Sequence, residues 1–328
     1  MFLMTQTTVN VFLNRRRFLV VGLICLPNLI GCGAPNTASS SGSSAGPRYS
    51  GSGQIRAVCT TGMVADMVRH VGGDRVAVDQ LMGEGIDPHL FKATPDVIRR
   101  LSEADVVFYS GLHLEGRMTE VFERMAERKP TVELAAVLPH DKLISVGGDA
   151  HDPHIWFDVG LWSGTAEAVR KFLVEFDPPH AAEYDARAAA YVKELAELDA
   201  ACRTKLATIP TAQRVLVTAH DAFHYFGRAY GVEVQAVQGV STESEAGVQE
   251  INRLVDFLSS RKIKAVFVEA SVSERNIKAL IEGCTSRGHA VTIGGELYSD
   301  SMGPVGTEVG TYVGMVRHNV DLIVRALQ

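Results

Sequence analysis

From Ile55 onward the chain alternates between short apolar runs and segments whose apolar residues recur every three or four positions. The short runs Ile55–Cys59, Val76–Met82 and Asp105–Tyr109 read as buried strands. Met63–Val71, Pro95–Ser102 and Leu114–Arg128 carry helical periodicity. Pro95 suits a first helical turn, where its missing N–H would be unbonded anyway, and Thr94 before it offers an N-cap oxygen. The second half repeats the pattern, with strands at Arg214–Thr218, Val234–Val237, Lys264–Val268 and Ala290–Ile293. Helices are expected there at Ala222–Tyr230, Val248–Ser260, Glu274–Arg287 and Glu308–Leu327. Strand–helix units of this length place successive strands in parallel and cover the sheet with helices. The fold class is therefore α/β, with two lobes that each hold a mainly parallel sheet.

Between the halves, the stretch from Pro179 to about Ala207 has no Gly and no internal Pro, and is rich in Ala, Leu, Glu, Lys and Arg. These are strong helix formers, so one helix of roughly 40 Å is predicted at 1.5 Å per residue. A helix bridging two lobes is stiffer than a pair of loops and restricts large hinge closure. The expected organisation is an N-terminal lobe at 54–178, a linking helix at 179–208 and a C-terminal lobe at 209–328.

The first residues have another character. Arg15-Arg16-Arg17 precede an apolar run, Phe18–Leu26, and then Leu29-Ile30-Gly31-Cys32. A basic start, a short apolar stretch and a small residue before the cut describe a secretory signal at 1–31. The apolar run falls short of the about 20 residues a membrane-spanning helix needs. Leu29–Cys32 resembles a bacterial lipobox, whose cysteine is lipidated and becomes the new N-terminus. Asn14–Leu19 also resembles a twin-arginine signal, with Asn14 where Ser or Thr is usual. Residues 32–53 are rich in Ser and Gly and cannot bury a core. They read as a flexible tether spanning roughly 25 Å, which keeps the globular part near a membrane without entering it.

Composition narrows the function. At 328 residues and 46% hydrophobic, the chain has apolar material for two cores and is neither disordered nor fibrous. The net charge is −6, and loss of residues 1–31, with three arginines and no acid, takes it to −9. No basic excess exists to hold nucleic acid phosphates. The five cysteines form no CxxC pair, which argues against a zinc ribbon, a thioredoxin-type redox pair and a disulfide scaffold. Beyond Cys32 the odd number, Cys59, Cys202 and Cys284, leaves at least one unpaired. Cys59 and Cys284 lie in apolar patterns and read as buried, inert thiols.

Of eleven histidines, three share a context. His89 follows Asp87-Pro88, His154 follows Asp152-Pro153, and His220 comes just after the strand ending at Thr218. Loops after parallel strands open at the end of the sheet where α/β folds place ligands. Pro88 and Pro153 fix the backbone before a histidine. Asp87, Asp152 and Asp158 are candidates to accept the second ring N–H, as carboxylates do around metal sites. Glu269, at a strand end, fits either a bond to such a ligand or a packing role between lobes.

Together these segments resemble the metal-ion substrate-binding proteins of bacterial ABC transporters, the zinc and manganese receptors of cluster A-I (solute-binding protein family 9). The resemblance runs from Ile55 to the C-terminus. It is carried by Asp87-Pro88-His89 with Thr94-Pro95-Asp96, by Asp152–Asp158, by Thr218–Phe223, and by Tyr298–Gly303 with Gly310-Thr311-Tyr312. It implies His89 and His154 from one lobe and His220 and Asp300 from the other as ligands of Zn²⁺ or Mn²⁺. It further implies two lobes on one long helix, a membrane permease as partner, and a monomer outside the cytoplasm held by lipid at Cys32. Manganese members commonly have an acid where this chain has His220, which favours zinc or use of both ions. The His-rich loop of dedicated zinc receptors is reduced here to His140 and His151 within Leu138–Pro153. His151 and His224 fit either transient ligands or surface residues.

Three other readings share these residues. Three His and one Asp also suit a zinc hydrolase, but the chain has no HExxH, no nucleophile elbow and no P-loop. A siderophore, haem or cobalamin receptor of the same architecture would need a wide cleft. An adhesin or structural lipoprotein would leave His89, His154, His220 and Asp300 apart in space.

Overall fold

The computed structural model describes residues 47–328. The apolar run at 55–59 becomes β1 (Ile55–Cys59), the inner strand onto which the first half is built. It is followed by α1 (Gly62–Gly72), β2 (Val76–Gln80), α2 (Pro95–Glu103), β3 (Val106–Tyr109), α3 (Thr119–Ala126) and β4 (Thr131–Glu133). The four strands form an all-parallel sheet in the order β2-β1-β3-β4. Thr94 caps α2 by accepting the Val97 N–H at 3.3 Å, with Pro95 in the first turn as the sequence implied. A small antiparallel hairpin, β5 (Ser145–Gly147) and β6 (Ala150–His151), then leads to α4 (Val159–Ser163) and α5 (Ala166–Phe176).

α6 (Ala181–Leu206) is the linking helix, 26 residues and about 39 Å long. Tyr184, Ala188, Tyr191, Leu195, Leu198, Cys202 and Leu206 line its buried face at helical spacing. The second half contains β7 (Val215–Thr218), α7 (His224–Tyr230), β8 (Glu233–Ala236), α8 (Val248–Arg261) and β9 (Ala265–Glu269). It ends with α9 (Arg275–Ser286), β10 (Thr292–Leu297) and α10 (Tyr312–Leu327). β7 pairs with β8 and β9 with β10, both in parallel, while β7 lies beside β9 without a hydrogen-bonded ladder. The strand layout of the first half is thus repeated. In each half the order reverses beside the first strand, the point where open α/β sheets hold ligands beyond their carboxyl ends.

α6 packs on α1, α4 and α5 of the first half and on α7 and α10 of the second. One apolar core consequently runs through both halves, from Ile55 and Phe108 through Tyr191 to Phe267 and Tyr312. Cys59, Cys202 and Cys284 are all buried and free. Burial pushes the thiols of Cys59 and Cys202 up, that of Cys202 to about 12. Residues 47–54 run along the first half, where the Tyr49 N–H donates to the Phe176 carbonyl at 2.7 Å. No helix among the described residues is long and apolar enough to cross a membrane.

The structure departs from the periodicity in five places. β4, with three residues, and the pair α4 and α5 escape the pattern reading. The helix expected at 114–128 is a 3-10 turn at Gly116–Met118 followed by the shorter α3. The closing helix starts at Tyr312 because Thr311 caps it, accepting the Gly314 N–H at 3.0 Å. β10 runs on past Ile293, the expected strand end, through Gly294-Gly295. The register shifts there, and at Gly295 (φ 146°) a Cβ would meet the Leu322 side chain of α10 at 2.5 Å.

Candidate metal centre

Four separate segments supply the side chains that meet between the halves. His89 sits in the connection between β2 and α2, held by Pro88. His154 follows the hairpin and precedes a 3-10 turn at Ile155–Phe157. His220 stands two residues beyond β7, and Asp300 three beyond β10. All four are buried, with exposures of 4, 0, 0 and 2% respectively. Their ligand atoms lie within 4.8 Å of one another.

The spacing is diagnostic. His154 Nε2 is 3.3 Å from His89 Nε2 and 3.4 Å from His220 Nε2. Asp300 Oδ1 is 3.3 Å from His154 Nε2, and Asp300 Oδ2 is 3.2 Å from His220 Nε2 and 3.7 Å from His89 Nε2. Tetrahedral donors at about 2.0–2.1 Å from an ion stand about 3.3–3.4 Å apart. Both Asp300 oxygens are buried, yet neither accepts a hydrogen bond from any described residue. The ring nitrogens and the carboxylate aim at a common point rather than at each other. Without an ion, Asp300 is compensated only by charge on His154 and His220 at 3.3 and 3.2 Å, and a cation at that point would satisfy both oxygens directly.

Behind the ring nitrogens stand carboxylates that set their orientation. Asp152 Oδ1 accepts from His154 Nδ1 at 2.7 Å and from the His154 backbone N–H at 2.9 Å. Glu269 does the same for His220 with its two oxygens, accepting Nδ1 at 2.5 Å and the backbone N–H at 2.8 Å. These bonds fix the tautomer that turns Nε2 toward the centre. Of the two roles open at Glu269, the bond to His220 is the one the structure shows. Asp152 matches expectation, but the other two aspartates do not. Asp87 accepts the backbone N–H of His89 at 2.9 Å, and Asp158 caps α4 through the Leu161 N–H at 3.0 Å. An aspartate two residues before a histidine can reach its main-chain N–H as readily as its ring, and one just before a helix is an N-cap.

Charge is divided unevenly over the imidazoles. Burial opposes charging of His154, but the Asp152 carboxylate and Asp300 outweigh it and push the ring up to about 9. Burial is likewise overcome at His220, where Glu269 and Asp300 hold the ring well above its ordinary value. His89 goes the other way. Burial, helped by charge on His154 and His220, brings it down to about 4 against the pull of Asp300. Asp300 is held well below the carboxylate range, because charge on His220 and His154 outweighs its burial.

The remaining histidines stay outside the group. His70 stacks on Tyr191, His180 meets Asp177, and His289 and His318 lie against main-chain carbonyls. His151 lies on β6, its ring 5.9 Å from that of His140. His224 instead bridges two acids: its Nδ1 lies 3.1 Å from Asp152 Oδ2 and its Nε2 3.0 Å from Asp221 Oδ2. Hydrogen bonds to these two acids push it up to about 10. Sequence reasoning missed this bridge, and it missed Thr242, whose Oγ1 donates to Asp87 Oδ2 at 2.6 Å. No local motif marks either residue, since each meets its partner from the opposite half. Cys32 lies outside the described residues.

Comparison with known proteins agrees with this picture. A family model described as "ZnuA: Zinc-uptake complex component A periplasmic" matches residues 57–326. The chain is similar to the manganese-binding lipoprotein MntA of Bacillus subtilis (strain 168), 46% identical over 301 residues, 92% of this chain and 95% of that one. It is also 46% identical to the zinc-binding protein TroA of Treponema pallidum (strain Nichols) over 275 residues, 84% of this chain and 89% of that one. The solved periplasmic zinc-binding TroA superposes with a TM-score of 0.82, covering 84% of this chain and 99% of its own. Fe(III)-bound YtgA of Chlamydia trachomatis, 25% identical, superposes at 0.76 over 84% of this chain and 98% of its own.

Proposed function

Because the chain belongs to the ZnuA family, the periplasmic component A of zinc-uptake complexes, we propose that it captures a divalent metal ion outside the cytoplasm and delivers it to the membrane permease of an ABC transporter. His89, His154, His220 and Asp300 are the ligands in this reading. Three imidazoles and a carboxylate make a borderline N/O donor set suited to Zn²⁺ and acceptable to Mn²⁺. Relatives of equal identity are named for manganese and for zinc, and zinc is the first candidate here because His220 adds a third nitrogen. Residues 1–31 direct export, Cys32 carries lipid, and the stretch that follows lets a monomeric receptor reach its permease. The relatives' names support the anchor, since several are called lipoproteins and some of these are substrate-binding lipoproteins of metal or manganese ABC transporters.

The observation that carries the reading is the convergence of four buried donors at metal-ligand spacing around an Asp300 carboxylate without hydrogen bonds. Four protein donors leave no open position for a catalytic water, and relatives are named as metal-binding proteins rather than enzymes. The space between ligand atoms suits an ion, not haem or a siderophore. Protein purified from its native compartment should hold one zinc or manganese per chain by elemental analysis, and His154→Ala should hold far less. Wild-type protein that takes up neither ion at micromolar concentration would defeat the proposal.

A further inference from the structure

The two histidines of the first half share a local device. In Asp87-Pro88-His89 and in Asp152-Pro153-His154, one aspartate oxygen accepts the histidine's own backbone N–H, at 2.9 Å in both. The other oxygen is held from the second half. Thr242 Oγ1 donates to Asp87 Oδ2 at 2.6 Å, and His224 Nδ1 reaches Asp152 Oδ2 at 3.1 Å. We propose that Thr242 and His224 are positioning residues, a pair of clasps by which the second half holds His89 and His154 in metal-binding geometry.

Both partners are placed for this task. Thr242 is the one buried residue in the exposed stretch 241–245 of the connection between β8 and α8. Beside it, Glu243 Oε1 takes a bond from Arg117 Nε of the first half at 2.7 Å, so the segment is strapped across the boundary twice. The Asp152 side chain is fully buried, and His224 is the sole described donor to its second oxygen. The His224 ring stands between two carboxylates, Asp152 and Asp221, and both its nitrogens can donate to them only as imidazolium. Its neighbour Tyr225 donates to the Asp152 carbonyl at 2.9 Å, so α7 grips both the side chain and the main chain of that segment. Separation of the halves removes one hold on Asp87 and one on Asp152 together, leaving each aspartate fixed only by the histidine it precedes. Holding and letting go of the ion are thereby tied to contact between the halves.

This inference rests on the metal-receptor reading, and its test separates the two. Zinc-loaded wild type, Thr242→Val, Thr242→Ser, His224→Ala and His224→Gln are chased with excess chelator and the rate of zinc loss is followed. Thr242→Val and His224→Ala should release zinc roughly 10-fold faster, the lower end of the effect of removing a group bonded directly to a metal ligand, because each acts through an aspartate. Thr242→Ser keeps the hydroxyl and should behave as wild type, and His224→Gln keeps one donor and should recover in part. The chase is run well below the melting temperature of each metal-free protein, which His224→Ala should lower because it leaves a buried Asp152 oxygen without its donor. In ¹⁵N spectra of the zinc-loaded proteins, His224→Ala should shift the His154 ring Nδ1 signal, and Thr242→Val the His89 backbone amide, each leaving the other in place. Release rates within twofold of wild type in both variants, from a wild type that holds zinc, would overturn the clasps. A wild type that holds no zinc would instead remove the receptor reading beneath them.

Discussion

Metal binding should expel two protons near neutral pH, not three and not none. A ligand imidazole must be neutral, so every ring charged in the metal-free protein gives up a proton. His154, raised to about 9, and His220, raised well above its ordinary value, both carry one at neutral pH, whereas His89, near 4, does not. The apparent association constant should therefore rise about a hundredfold per pH unit between about pH 5 and 8, or about 2.7 kcal/mol per unit at about 1.36 kcal/mol per proton. Below about pH 4 the third ring charges and the slope approaches three. Above about pH 9 His154 has lost its proton and the slope falls below two. Imidazoles at the ordinary value of about 6.5 would behave differently, with almost no pH dependence above about pH 7.5. The decisive window is thus about pH 7.5–8.5. Zinc competition against a chelator of known protonation gives the slope there, and calorimetry in buffers of different ionisation enthalpy counts the protons directly. A slope near zero in that window, or release of less than one proton near pH 7, would refute the assignment of charge to His154 and His220. The stability of the metal-free protein follows the same sign. A ring whose folded value is raised stabilises fully below about pH 6.5 and loses that contribution as pH rises through its folded value. The metal-free melting temperature should fall between about pH 6.5 and 9, where that of the zinc-loaded protein should not.

Three further outcomes test the site. Glu269→Gln leaves one acceptor for two donors of His220, the backbone N–H and Nδ1, and zinc affinity should drop roughly 10–100-fold in a competition titration; a change under threefold would show that Glu269 does not orient the ring. His220→Glu should lower the Zn²⁺/Mn²⁺ affinity ratio by exchanging nitrogen for a harder oxygen, while His220→Ala weakens both ions, and an unchanged ratio in the glutamate variant would remove His220 from selectivity. Zinc at a thousandfold excess over its dissociation constant should stabilise the fold by about 4 kcal/mol, so equal melting curves with and without zinc would contradict a site shared between the halves.

Much of this protein is legible in one dimension. The period of the apolar residues locates β1, α2, β7 and α8 to within a few positions, because a buried strand or helix face must be apolar at its own repeat. The long run free of Gly and Pro announces α6 by propensity alone. Asp-Pro-His, written twice, and the histidine after β7 mark three of the four converging residues, since a rigid backbone and a post-strand loop are local properties. Three-residue β4 has no such signature, and α4 with α5 takes its order from packing against α6. Local sequence is equally silent on the partners of the ligands. Glu269 lies 49 residues from His220, Thr242 lies 155 from Asp87, and His224 lies 72 from Asp152. A ring's charge depends on which carboxylates approach it and how much water leaves, and both follow only from the meeting of the two halves. Sequence alone therefore pointed to the four residues that converge, and the tertiary structure decided how they are aimed, charged and held.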